Sequence, residues 1–318
     1  MKKKKKLKLK KKPMLILIGI ILLPLLVFGG IKLIQNYQYL RSIEYRLIER
    51  GYSIEEVNIL QEKLSNEVLL ELVARRKNND LVELVKEKYF IAENMARYLE
   101  FKEKNRTRST TDIIAMVNVN ADRVWYSSPK ETNLTMDYRM LVNKFNFLPE
   151  DYKPNDIVGI PLQYAYQGHS IRQQVLDAFI KMWRVTNDLD LRMVIDFSFR
   201  SFEDQERRFE TLVSNHGRSR ADELGVRPGF SEQQSGLAIG IVRLNTPTAE
   251  FEQTEEFAWL QKNAYRYGFI LRYPKGKEHI TGFRYESSHF RYVGRDLAKR
   301  IHEAGITFDE YYAFYLAR

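Results

Sequence analysis

The hydrophobic pattern begins with Pro13 to Ile31, a run rich in Leu and Ile that contains no charged residue. At about 1.5 Å per helical residue such a run matches the hydrocarbon thickness of a bilayer, which predicts a membrane-spanning anchor over 13–34. Beyond it, from Asn36 to Asn105, apolar residues recur at helical spacing among abundant Glu, Lys and Arg, so a module of short helices is expected over 35–105. Two helix starts are visible. Ser53-Ile54-Glu55-Glu56 has capping-box spacing, and Ser65 precedes the apolar set Val68, Leu69, Leu72 and Val73. Charged helix faces of this kind are ordinarily solvated, so the module reads as a stalk, with partner binding as the alternative.

Arg106 to Thr111 is polar and lacks apolar periodicity, and the reading places a joint there, with a second domain over 106–318. In that domain Ile171, Val175, Leu176, Phe179, Met182 and Trp183 share one helical face. Met193, Ile195, Phe197 and Phe199 alternate with Arg192, Val194, Asp196 and Ser198, the period of a half-buried strand. Another strand is expected at Leu237 to Leu244. Glu255 to Tyr267 reads as a helix closed by Gly268 and followed by a strand from Phe269 to Tyr273. Two helices finish the chain, one stopping near Gly305 and one opening with the capping box Thr307-Phe308-Asp309-Glu310. Helices and strands mix without strict alternation, which is the pattern of an α+β fold.

Charge changes the picture in one respect. The formal net charge of +10 suggests a nucleic-acid partner, but nine lysines lie in the first twelve residues and only +1 remains for the rest. The excess therefore reports topology. A lysine-rich tail over 1–12 stays cytoplasmic and everything after the anchor lies outside, with no nucleic-acid partner implied. The sequence has no cysteine, which excludes disulfides, thiolate metal sites and cysteine nucleophiles.

Four segments carry the candidate chemistry: Ser198-Phe199-Arg200-Ser201 with Gln205, Arg227 to Gly240, Tyr265 to Gly276, and Tyr285 to Gly294. Together with Leu148-Pro149-Glu150-Asp151-Tyr152 they give a chain that, from about Leu141 to Gly294, resembles the VanY-type D-alanyl-D-alanine carboxypeptidases, zinc enzymes that trim the terminal D-alanine from cell-wall stem peptides. The resemblance implies a Hedgehog/DD-carboxypeptidase-like domain, an antiparallel sheet with flanking helices. It also implies zinc held by the His and Asp of S-x-H-x-x-G-x-A-x-D and by the His of E-P-W-H, whose Glu is the general base.

This chain departs from both patterns. Ser231 to Gly240 reads SEQQSGLAIG, with Gln233 at the first histidine position and Gly240 at the aspartate position. Glu286-Ser287-Ser288-His289 keeps the base, Glu286, and one ligand, His289. A catalytic zinc ordinarily takes three protein donors from His, Cys, Asp or Glu, and a glycine side chain supplies none. Without the metal, water keeps a pKa of about 15.7 instead of about 7, and peptide hydrolysis by this route is expected to fail. Glu232, His216 and His279 have donor chemistry but sit at no ligand position, His279 reads as a solvated loop residue, and His169 and His302 lie in polar contexts. Arg200, Gln205 and Ser231 match the positions that face substrate in the family.

The expected protein is a membrane-anchored, extracytoplasmic pseudo-carboxypeptidase without a metal cofactor, which binds a peptidoglycan stem peptide or a cell-wall protein. Two alternatives stand beside it: an active cell-wall metallo-carboxypeptidase with a rearranged metal site, and a scaffold acting through the helical module 35–105.

Overall fold

The computed structural model describes residues 27–317. The anchor expected over 13–34 lies largely outside them; residues 27–34 fall in a helical stretch at 27–40, and no helix among the described residues is long and apolar enough to cross a membrane. The chain divides into two compact units, Met1–Leu99 and Glu100–Arg318.

In the described part of the first unit, helices Ile43–Glu49, Ile54–Lys63, Asn66–Val73 and Asn79–Lys86 follow one another closely. Each has a polar N-cap: Ser42, Ser53, Ser65 and Asn78 accept a hydrogen bond from the backbone N–H three residues on. Ser53 and Glu56 complete the reciprocal capping box. Helices this short are marginal alone, and their stability comes from the buried stripe that includes Leu47, Val57, Leu60, Leu69, Leu72, Leu84 and Val85. A further helix, Met95–Lys104, straddles the division.

The second unit is α+β. The polar segment 106–111 turns from the helix Met95–Lys104 into the next, Thr110–Asn118, which Ser109 caps through Asp112 N. Two short ladders follow, Lys130–Glu131 with Asn146–Phe147 and Ile157–Gly159 with Ser170–Arg172. Helix α1 (Gln173–Asp188) then buries Val175, Leu176, Phe179 and Met182 in the main core.

The central sheet has four antiparallel strands: β1 (Met193–Phe197), β2 (Ala238–Arg243), β3 (Phe269–Leu271) and β4 (His289–Tyr292), in spatial order β1-β2-β4-β3. β1 is not the half-buried strand its alternation suggests. Met193, Val194 and Ile195 are all buried, both faces being covered, and a bulge interrupts the ladder between Ile195 and Phe197. Between β1 and β2 come α2 (Phe202–His216) and α3 (Arg218–Leu224). The helix expected over 255–267 is α-helical for Glu255–Asn263 and tightens to 3-10 over Ala264–Tyr267, where Gly268 takes a left-handed φ of 93°.

At the end of the unit α4 (Arg295–Ala304) stops at Gly305, and α5 (Phe308–Tyr311) opens with a complete Thr307/Glu310 capping box. They cover a second core of Leu141, Ile270, Val293, Leu297, Ile301 and Phe308.

Candidate functional site

A cavity of about 890 Å³ opens beside the sheet, between the C-terminal end of β1, the start of α2, the turn before β2 and the start of β4. The segment after β1 contributes Arg200. Ser201 caps α2 through Asp204 N, which fixes where Arg200 leaves the strand. The Arg200 backbone N–H donates to Gln233 O at 3.2 Å, so the strand exit and the turn carrying the changed motif are tied together.

Arg200 donates through Nη1 to Gln205 Oε1 at 2.8 Å, and Gln205 in turn donates through Nε2 to Val226 O at 2.6 Å. Gln205 is buried at the cavity wall with a bond at each amide atom, and so positions Arg200. Arg200 itself has no ion pair among the described residues. Burial, with Arg208 adding to it, pulls its pKa down to about 10, the mark of a cation short of a counter-charge. Ser231 lines the same cavity, but its Oγ is used to cap the 3-10 turn Glu232–Ser235 by accepting from Gln233 N. Gly236 closes that turn at φ 66°. Gln234 donates from it to Pro149 O at 2.8 Å, which brings the Leu148 to Tyr152 segment alongside.

Gly240 sits in β2 directly between Phe197 of β1 and His289 of β4. With no side chain in the middle position, the two outer rings meet over it, edge to face, at 5.1 Å between centroids. The bulge in β1 re-aims Asp196 into the same space. A Cβ at position 240 would overlap both Asp196 Oδ1 and the Phe197 ring. The volume an aspartate side chain needs is thus filled.

His289 is committed elsewhere as well. Its Nδ1 lies 3.0 Å from Glu286 Oε2, and its Nε2 lies 3.7 Å from Glu232 Oε2. Burial opposes a charge there, but the two carboxylates override it and raise the imidazole pKa to about 9. A protonated imidazole has no lone pair to give a metal. Glu286 remains half-exposed at the mouth, its pKa lowered as His289 and then Arg200 outweigh burial. Glu232 is fully buried. Burial again works against its charge, and Arg272 and Arg291, each 2.7 Å from Oε1, hold the carboxyl well below the usual range.

The residues therefore do not fit the zinc that the resemblance implies. One ligand position holds an amide and one holds no side chain and is filled by its neighbours, which leaves His289 alone of the three. No cluster of three His, Cys, Asp or Glu suited to a metal occurs among the described residues. Gln233 Oε1, Asp196 Oδ1 and His289 Nε2 are buried beneath the cavity without a hydrogen-bond partner.

The structure adds two lining residues that spacing alone does not reveal. His169, whose Nδ1 lies 3.0 Å from Ser198 Oγ, and Asp196 both face the cavity. His279, expected to be a solvated loop residue, is instead in a short helix with a buried Nε2 and Asp112 Oδ1 3.8 Å away. It lies outside this cavity, as do His216 and His302, the latter stacked on Tyr265 at 4.1 Å.

The family model described as VanY, D-alanyl-D-alanine carboxypeptidase, matches residues 168–295. The bifunctional D-Ala-D-Ala dipeptidase and D-Ala-D-Ala carboxypeptidase VanXYC of Enterococcus gallinarum is 30% identical over 187 residues, which are 56% of this chain and 95% of that protein. This chain belongs to the VanY family. The putative carboxypeptidase YodJ of Bacillus subtilis is 37% identical to this VanY member over 182 residues, 54% of this chain, and the match spans 66% of YodJ's length. Among solved structures, the LdcB LD-carboxypeptidase superposes with a TM-score of 0.56 at 34% identity, covering 58% of this chain and 90% of LdcB. The VanY match contains every motif segment that lines the cavity from His169 to His289, together with both substituted ligand positions, Gln233 and Gly240.

Proposed function

We propose that this VanY-family chain is a zinc-free binding protein of the cell wall, anchored in the membrane through 13–34, which holds the C-terminal end of a peptidoglycan stem peptide without cleaving it. The observation that carries the reading is the pairing of a filled metal position with a kept recognition residue. Phe197 and Asp196 close over Gly240, while Arg200, half-buried and without an ion-pair partner among the described residues, still lines a cavity of about 890 Å³. A guanidinium offers a planar fork of donors that matches a carboxylate, and Gln205 holds it in place.

Glu286 has no activated water to deprotonate on this reading. Its role becomes electrostatic: it keeps His289 charged and faces Arg200 across the cavity.

The test is made on purified full-length protein in detergent. Titration calorimetry with a pentapeptide ending in D-Ala-D-Ala is expected to show binding, while D-alanine release and metal content are both expected to be absent. Arg200→Ala removes a charged hydrogen-bond donor worth about 1.5–3 kcal/mol, so affinity should fall roughly 10- to 150-fold. D-alanine release by protein carrying one zinc per chain refutes the proposal.

A further inference from the structure

A second cavity, of about 850 Å³, abuts the first across Leu224, Gly225, Val226, Phe283 and Glu286, which line both. Its distinctive group is Lys144. This lysine is 6% exposed, and its ammonium sits over three aromatic rings, Phe283 at 4.9 Å, Tyr126 at 5.2 Å and Trp125 at 5.7 Å. Its one hydrogen bond is a long one, 3.5 Å to Asp222 O. The nearby carboxylate of Asp222 acts on it only through space, paired as it is with Arg227, whose Nε and Nη2 each donate to it at 2.7 Å.

The other acids at this cavity are also engaged: Glu223 pairs with Arg220, Glu286 with His289, and Glu278 accepts from Gly276 N. Lys144 is left as a buried cation with three donors, one long bond to a backbone carbonyl, no carboxylate within salt-bridge distance among the described residues, and ring faces in place of most of its lost hydration. Cation–π contacts recover part of that cost, and a buried charge ordinarily needs an anion for the rest.

We propose that this cavity is a second subsite of the same groove, in which Lys144 receives a carboxylate carried by the bound peptide several bonds upstream of its C-terminus. The ligand is then a peptide with two anionic groups, the terminal one on Arg200 and an internal one on Lys144, with its backbone passing over Val226 and Phe283. The inference rests on the stem-peptide reading of the first cavity. It adds a requirement that the first cavity does not impose.

The probes are two pentapeptides, L-Ala-γ-D-Glu-L-Lys-D-Ala-D-Ala with the glutamate α-carboxylate free, and the same peptide with that group amidated. Full-length protein in detergent should bind the free acid about tenfold more tightly or better, since a charged pair replaces a neutral contact. In Lys144→Met the preference should vanish while affinity for the amidated peptide stays at the wild-type value, which also shows that the variant is folded. As a second measurement independent of that variant, the indole N–H resonance of Trp125, one of only three tryptophans, should move when the free acid binds and stay still when the dipeptide D-Ala-D-Ala binds. Equal affinity of the wild type for the two pentapeptides, or an unmoved Trp125 resonance under saturating free acid, overturns the subsite while leaving the Arg200 cleft standing. Failure of both pentapeptides to bind overturns the cleft and the subsite together.

Discussion

Restoring the two missing ligands, Gln233→His with Gly240→Asp, should not restore a metal site, and the sizes of the obstacles follow from the structure. The new Cβ at 240 meets the Phe197 ring and Asp196 Oδ1, and forcing a side chain into a filled site typically costs about 1–3 kcal/mol. For a unit of this size that is a fall in melting temperature of roughly 2–12 °C. His289 must also lose a proton whose pKa is about 9, so at pH 7 zinc binding is weakened about 100-fold, or about 2.7 kcal/mol. Adding Phe197→Ser clears the ring, and the triple variant should take up zinc with an affinity that rises about tenfold per pH unit from 7 toward 9. Metal content by mass spectrometry and thermal melts at each pH read both effects. A double variant that binds one zinc per chain and melts with the parent refutes this account of why the site was lost.

Two further outcomes follow from the buried charges. Glu232→Gln leaves Arg272 and Arg291 facing an amide in the interior, and breaking such a pair costs about 3–5 kcal/mol, so the urea midpoint should drop sharply; an unchanged midpoint refutes the network's role. His289 has a folded-state pKa above its usual 6.5, so the stability it contributes is complete below about 6.5 and fades as pH rises through about 9. Wild type should therefore lose more stability than His289→Gln between pH 7 and pH 10, and parallel urea curves over that range show the imidazolium contributes nothing.

The parts of the fold legible in the sequence are those written in local chemistry. The capping boxes at Ser53 and Thr307 and the left-handed cap at Gly268 are each set by residues within a few positions of one another. The substitutions Gln233 and Gly240 are legible for the same reason, since a motif fixes its own spacing. What fills the space at Gly240 is not, because it depends on the register of β1 against β2 and on a bulge that pattern reading smooths into regular alternation. The engagement of Gln205 at both ends, one partner five residues away and the other twenty-one, is a tertiary fact of the same kind. So is Lys144, whose three rings come from positions 125, 126 and 283. Ser109 adds a detail that the polar run does not announce: it caps the helix that begins at Thr110.

Arg272 is wholly buried between Glu232 and Asp309, and Asp309 also accepts from Asn143 Nδ2 at 2.8 Å. A chain growing from its N-terminus delivers Glu232, Arg272 and Arg291 before Asp309 exists. Until then two guanidiniums share one carboxylate, and the interior around them carries a surplus positive charge. The cavity beside the sheet is lined by that same Glu232. Charge balance beneath the cavity therefore waits on Asp309, so the interior around Glu232 is complete only once α5 is in place.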